Sequence, residues 1–332
     1  MNSNFKPRTQ LGIATKFFRC LASVSQTLAI LTLTAMPIVS FADSPSCGQA
    51  SRMSLQLLGS GGPISDDERA SSGEVIWLNG KSRLLIDAGG GTYLRFGQAG
   101  ARLEDLHFIG ISHFHTDHSV DLPAILKGAY FMTVDSQITL AGPQGSGAFP
   151  SMTAFFNSMF GAKNGAFAYL EGLHDGSDGI HLTVKPILDV DYRAPKPVLV
   201  YQDDEVKVLA FGIPHGDVPT LAFRIEGKTG TIVISADQNG HRAGFTDFAK
   251  GADILVMPAA IDDDADDGSK FLHAPPLIIG PIAAEIQPKV LVLNHFMGRS
   301  LKDKDANVSV IKRYFHGQIY EGRDLSCYSI PQ

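Results

Sequence analysis

The chain has 332 residues, of which 44% are hydrophobic and 19% charged, with 34 Gly and 18 Pro. This balance excludes a coiled coil, a collagen-like repeat and a largely disordered chain, and the length suffices for one large or two small domains with a substantial core. With 28 Lys+Arg against 34 Asp+Glu, the formal charge of −6 argues against a surface built to neutralise long polyphosphates.

Lys6, Arg8, Lys16 and Arg19 form a basic start without an acidic residue, and an apolar run from Leu28 to Val39 follows. Ser40-Phe41-Ala42 then offers small residues at the two positions a signal peptidase reads. The pattern predicts a secretory signal over residues 1–42, with the mature chain periplasmic or secreted. The apolar run is too short for a comfortable membrane span, although a retained N-terminal anchor is the alternative, and no membrane contact is expected after cleavage. Removing the four basic residues leaves 24 Lys+Arg against 34 Asp+Glu, a formal charge of −10. Cys20 leaves with the signal. Export favours a disulfide between Cys47 and Cys327, two free buried thiols being the alternative.

Residues 43–332 are expected to form one domain. Met53 to Leu58 alternates as a strand and runs into a Gly59-Ser60-Gly61-Gly62 turn. Glu74 to Leu78 and Ser82 to Asp87 are strands around Asn79-Gly80, a hairpin signal. Leu106 to Ile111 is a short apolar strand, Val120 to Phe131 has helical spacing, Gln137 to Ala141 is a strand, and Phe149 to Phe160 is helical. The segment 142–200 reads as insertion-like, its Gly-, Asp- and Pro-rich part from Gly161 to Pro197 containing one hairpin. Val206 to Ile213, Thr220 to Glu226 and Thr231 to Ser235 are strands, with a tight turn over Gly227 to Gly230. Ile254 to Met257 and Val290 to Leu293 are further strands, and Pro276 to Ile286 and Lys302 to Phe315 are helices. Two halves of β-then-α texture suit a layered α/β sandwich.

The chemistry concentrates in Ser112-His113-Phe114-His115-Thr116-Asp117-His118, between a strand and a helix. Three imidazoles and a carboxylate on one turn are good zinc ligands, and burying them without a metal would leave polar groups unpaired. His215, Asp237 and His295 each follow the C-terminal end of an apolar strand, where α/β proteins place functional groups. Seven ligand-type residues in this arrangement suggest two metal ions. Gly59 to Gly62 lacks the Lys and Ser/Thr of a phosphate loop and reads as a plain turn. The acidic run Asp262 to Asp267 lacks calcium-loop spacing and reads as a solvated loop that borders the site.

These motifs resemble the metallo-β-lactamase superfamily, in particular its ribonuclease Z and arylsulfatase-like branch. Leu57-Leu58-Gly59-Ser60-Gly61-Gly62-Pro63 resembles the family's opening strand and turn. Leu85 to Thr92 matches an Asp-x-Gly-x-Gly-Thr segment, and His113-x-His115-x-Asp117-His118 is the signature. The resemblance implies a four-layered αβ/βα sandwich. It implies that His113, His115 and His215 hold one Zn²⁺, that Asp117, His118 and His295 hold the other, and that Asp237 bridges them. Asp87 would orient a ligand histidine. His273 resembles the extra histidine of this branch and would protonate the leaving oxygen or hold the substrate anion. The implied activity is hydrolysis of a small ester by metal-bound hydroxide, with Asp117 handling the nucleophile's proton. A phosphodiester is the favoured substrate, an aryl sulfate or a lactone the alternatives.

Segment 142–200 carries Lys163, Lys185, Arg193 and Lys196 against Glu171, Asp175, Asp178, Asp189 and Asp191. From that balance no long nucleic acid is expected as a partner. A redox relative would replace a motif histidine with a carboxylate, whereas His115 is intact. A non-catalytic relative would have lost ligands, whereas all seven are present. A homodimer is an expectation from the resemblance alone.

Overall fold

The computed structural model describes residues 47–49, 52–131, 137–187, 195–241 and 244–331; the expected signal over 1–42 lies outside them. Two seven-stranded sheets stack face to face among these residues. The first contains β1 (Ser54–Gly59), β2 (Gly73–Leu78), β3 (Lys81–Ile86), β4 (Phe108–Gly110), β5 (Gln137–Pro143), β6 (His181–Ile187) and β14 (Cys327–Ser329), in the order β14-β1-β2-β3-β4-β5-β6. The second contains β7 (Val198–Gln202), β8 (Val206–His215), β9 (Val218–Gly227), β10 (Gly230–Ile234), β11 (Ile254–Pro258), β12 (Val290–Asn294) and β13 (Gln318–Glu321), in the order β13-β12-β11-β10-β9-β8-β7. Each sheet changes from antiparallel to parallel pairing across its width.

Alternation along the strands explains the layering. Leu55, Leu57, Ile76, Leu84 and Ile86 point into a core shared with Val208, Phe223, Ile232, Ile234 and Val292 of the opposite sheet. Their neighbours Leu58, Val75, Trp77 and Leu85 point outward into a second core. The helices are α1 (Thr92–Gln98), α2 (Thr116–Ser119), α3 (Leu122–Ala129), α4 (Met152–Phe160), α5 (Phe245–Ala249), α6 (Asp267–Leu272), α7 (Pro276–Ile286), α8 (Gly298–Lys302) and α9 (Lys304–Ile311). Leu122, Ile125 and Leu126 of α3 and Phe156 and Phe160 of α4 cover the outer face of the first sheet. Phe245 and Phe248 of α5, Ile279, Ile282 and Ile286 of α7, and Ile311 of α9 cover the second. The result is the expected four-layered sandwich.

Asn79 and Gly80 both adopt positive φ, 51° and 79°, the two-residue turn anticipated between β2 and β3. Several details differ from the sequence reading. The helix expected over Lys302 to Phe315 is present but shorter, as α9 from Lys304 to Ile311, and α8 precedes it across Asp303, whose φ of −112° is not helical. The helix expected from Phe149 starts at Met152, because the Ser151 hydroxyl accepts a bond from the Ala154 N–H and caps it. Within segment 142–200, β6 pairs in parallel with β5 while β7 pairs with β8 in the other sheet, so these strands form no hairpin. Cys47 and Cys327 are disulfide-bonded with Cα atoms 5.6 Å apart. Among the described residues no helix is long and apolar enough to cross a membrane.

Candidate metal centre

The strand ends deliver the site. After β4 the chain passes Ser112 to His115, and the single turn of α2 then presents Asp117 and His118 on one side. His215 ends β8, Asp237 follows β10 and His295 follows β12. Sharp backbone reversals accompany these exits: Asp87, Gly216, Ala236 and His295 have φ of 58°, 58°, 50° and 54°. For a non-glycine residue that region is sparsely populated and costs about 1–3 kcal/mol, which the surrounding packing must supply. Close backbone approach matters too. A Cβ on Gly89 would lie 2.0 Å from the Asp117 carbonyl oxygen, and one on Gly62 would lie 2.8 Å from His295 Cε1. Within the Gly59 to Gly62 turn it is therefore Gly62 that lets the backbone pass against the last histidine.

All seven residues expected as ligands converge. His115 Nδ1 lies 3.0 Å from His113 Nε2 and 3.4 Å from His215 Nε2. Asp117 Oδ2 lies 3.1 Å from His295 Nε2 and 3.7 Å from His118 Nε2. Asp237 Oδ2 stands between the two groups, 4.0 Å from His113, 3.7 Å from His215, 3.4 Å from His118 and 3.2 Å from His295. His273, which caps the C-terminus of α6, brings Nδ1 to 4.0 Å from the same oxygen. All of these side chains are buried except His115, which is half-buried at the floor of a cavity.

The surroundings orient the rings. His118 Nδ1 donates to Asp87 Oδ2 at 2.7 Å, and Asp87 also accepts from the Ser112 N–H at 2.6 Å and the Ser112 hydroxyl at 2.7 Å. His215 Nδ1 donates to the Leu272 carbonyl at 2.7 Å, and His113 Nδ1 lies 3.0 Å from Ser112 Oγ. Asp87 thus stands beside His118, one of the histidines expected as ligands.

The donor set fits divalent metal. Burial lowers the pKa of His113 and His215, and lowers His273 to about 3, which leaves these rings as neutral donors. Burial alone would lower His118 and His295 as well, but the carboxylates raise both, Asp237 and Asp87 acting on His118, and Asp237 and Asp117 taking His295 to about 9. Burial works to raise Asp117, but the His295 hydrogen bond and the charges of His118 and His295 outweigh it and bring Asp117 to about 2. His295 and His118 likewise hold Asp237 well below the carboxylate range against its burial. The two ionised aspartates demand positive charge, which protons on His118 and His295 supply until a cation replaces them. His118 Nε2, Asp237 Oδ1 and His273 Nδ1 are buried with no hydrogen-bond partner among the described residues, as expected of groups that face a metal and its ligands.

The cavity above the cluster has a volume of about 730 Å³. Ile64, Phe114, Leu272 and Met297 form apolar parts of its wall, and Asp66, Asp266, Ser269 and Arg299 form polar parts. The acidic run thus borders the site, Asp266 capping α6 through the Ser269 N–H. Arg299 is held by the Ala260 carbonyl at 3.2 Å and Ser269 Oγ at 3.1 Å. The sequence reading did not single out Arg299, although its place four residues after His295 was a signal. It also passed over Glu74 and Asn294, which pair across 220 residues.

Comparisons with known proteins place the fold among known structures. Residues 53–145 match the family described as anti-Pycsar protein Apyc1. Ribonuclease Z of Mycobacterium sp. strain KMS is 29% identical over 221 residues, covering 63% of this chain and 69% of the relative. Ribonuclease Z of Nocardia farcinica is 24% identical over 308 residues, covering 85% and 99%. Among solved structures, the metallo-β-lactamase fold protein YhfI of Bacillus subtilis superposes with a TM-score of 0.64 at 20% identity, covering 84% of this chain and 99% of that one. The short form of human tRNase Z gives 0.64 at 22% identity, covering 84% and 100%. These relatives overturn one expectation: proteins similar to this chain are ribonucleases Z, so the exclusion of a long nucleic acid partner is withdrawn. The physical error lay in using net charge over a segment. Binding to a phosphate backbone depends on where individual cations stand, and exposed Lys163, Lys185 and Lys196 are not cancelled by acids elsewhere.

Proposed function

We propose, from the premise that this chain is a ribonuclease Z-like, metal-dependent hydrolase of the metallo-β-lactamase superfamily, that it uses two zinc ions to cleave a phosphodiester outside the cytoplasm. His113, His115 and His215 would hold one ion, Asp117, His118 and His295 the other, with Asp237 shared. The observation that carries the count of two is the place of Asp237 Oδ2, within 4.0 Å of ring nitrogens from both groups. When bound, the ions supply hydroxide near neutral pH and neutralise charge that develops on the attacked group.

The chain's own residues do the rest. Asp117 orients the nucleophile and accepts its proton. His273 stands on the cavity wall, where its neutral ring holds the leaving oxygen through a hydrogen bond. The Arg299 guanidinium, at the polar part of the wall, favours an anionic diester over a neutral lactone. The apolar wall of Ile64, Phe114 and Leu272 excludes water and suits the organic part of a small ester. Export is supported by the basic-then-apolar N-terminus and by a disulfide of the kind that persists in oxidising compartments.

The test is a parallel assay of the zinc-loaded protein on bis(p-nitrophenyl) phosphate, p-nitrophenyl sulfate, a homoserine lactone and a precursor tRNA, with Asp117→Ala as control. Turnover of the small phosphodiester that disappears in the variant supports the reading. Preference for sulfate or lactone sinks the substrate class and leaves the metal centre standing. Preference for the tRNA precursor moves the substrate from a small ester to RNA.

A further inference from the structure

Behind the cluster, on the side away from the large cavity, lies a polar pair that spans the two sheets. Glu74 of β2 and Asn294 at the end of β12 are 3% and 4% exposed. Asn294 Nδ2 donates to Glu74 Oε1 at 2.8 Å. The remaining oxygens, Glu74 Oε2 and Asn294 Oδ1, are buried with no hydrogen-bond partner among the described residues. Both residues line a cavity of about 20 Å³ whose wall also includes Asp87, His118, Asp237 and His295. That volume admits one water molecule, and such waters are found where buried polar groups lack other partners. One water donating to both free oxygens would satisfy the pair.

The pair matters because of how His295 is held. His118 is tied by Asp87, His215 by the Leu272 carbonyl, and His113 lies against Ser112 Oγ. His295 has no such tie: its Nδ1 is buried without a partner among the described residues. Its backbone also sits at φ 54°, a conformation that costs energy for a non-glycine residue. What precedes it is Asn294, anchored through its side chain to Glu74 and through its carbonyl to the Ala259 N–H at 2.7 Å.

We propose that Glu74, Asn294 and a single water in the cavity they share form a buttress that fixes His295 at the metal centre, making Glu74 a positioning residue. This rests on the reading of His295 as a metal ligand. Glu74 touches neither substrate nor metal and acts by setting the strand end from which His295 departs.

The experiment compares wild type, Glu74→Leu, Glu74→Gln and, as a ligand control, His295→Ala. Zinc affinity is read by competition with a chromophoric chelator, and ligand geometry by the electronic spectrum of the cobalt(II)-loaded protein. Loss of such an outer partner typically lowers metal affinity about 10–100-fold. Glu74→Leu is expected to show a loss of that size and a shifted cobalt spectrum. Glu74→Gln, which keeps an acceptor for Asn294 and a polar atom for the water, is expected to restore both. A folded Glu74→Leu protein with wild-type affinity and spectrum overturns the proposal, and so does a Glu74→Gln protein as impaired as Glu74→Leu. If Glu74→Leu does not fold, Asn294→Ala is judged by the same two readouts. Should His295→Ala itself bind zinc like wild type, the underlying ligand assignment fails rather than the buttress alone.

Discussion

Asp87 serves three donors with two oxygens: the Ser112 N–H, the Ser112 hydroxyl and His118 Nδ1. Replacing it frees the His118 ring from its fixed orientation and strands a buried backbone N–H, at about 1–3 kcal/mol for the unsatisfied group. Asp87→Ala is therefore expected to lower zinc affinity roughly 10–100-fold, with Asp87→Asn intermediate because it retains an acceptor for the Ser112 N–H. Equilibrium metal competition measures this, and unchanged affinity in Asp87→Ala would refute the role. At this scale the sequence was informative where residues cluster. Four ligand-type residues in six positions, His113 to His118, point to a metal, and His215, Asp237 and His295 are found by looking past apolar strands. Glu74 gave no comparable signal. A single acid at the start of an apolar run means nothing until the fold brings Asn294 beside it, from 220 residues away.

The strands were easiest to read among the elements, because burial on two faces leaves an apolar run that few other structures explain. Helix α1 was missed for a physical reason. It begins at Gly91, which has no side chain to cap it, and the cap comes from elsewhere: Asp121 Oδ2 accepts from the Gly91 N–H at 2.9 Å and the Tyr93 N–H at 3.0 Å. No local pattern records a cap supplied from 30 residues away. Asp121→Ala should then cost about 0.5–2 kcal/mol, the usual range for a lost helix cap. Denaturant titration would show a lower midpoint with an unchanged slope, and an unaltered midpoint would deny Asp121 the capping role. Strands β6 and β7 were read as part of an insertion because their segment is rich in Gly, Asp and Pro. In the structure each is an edge strand, where polar residues and interruptions are tolerated.

The whole molecule is a sandwich whose candidate metal centre draws on both halves. His113, His115, Asp117 and His118 follow β4 of the first sheet, and His215, Asp237 and His295 come from the second. The paired cysteines were legible as the two that lie outside the expected signal, while their bond is a matter of three-dimensional proximity. Their 280-residue separation makes the bridge a strong constraint on the unfolded chain. Cys47→Ser is expected to destabilise the protein by about 2–5 kcal/mol. Thermal or chemical unfolding should detect this, and reducing agent should lower wild type to the level of the variant. If reductant leaves wild type unchanged at equilibrium, the bridge contributes nothing to stability.

The pairing of β1 with β14 also has a consequence in time. Gln56 lies opposite Cys327 and Ser54 opposite Ser329, so one edge of β1 is covered only once residues 327–329 exist. Until then a growing chain can pair β1 with β2 and β2 with β3, yet β1, all of whose residues are buried in the finished sheet, keeps one open edge. Such an edge is a template for the wrong partner. Strand β14 therefore acts as a closing seam for a sheet begun at residue 54, and the edge of β1 is protected only after synthesis has passed Ser329.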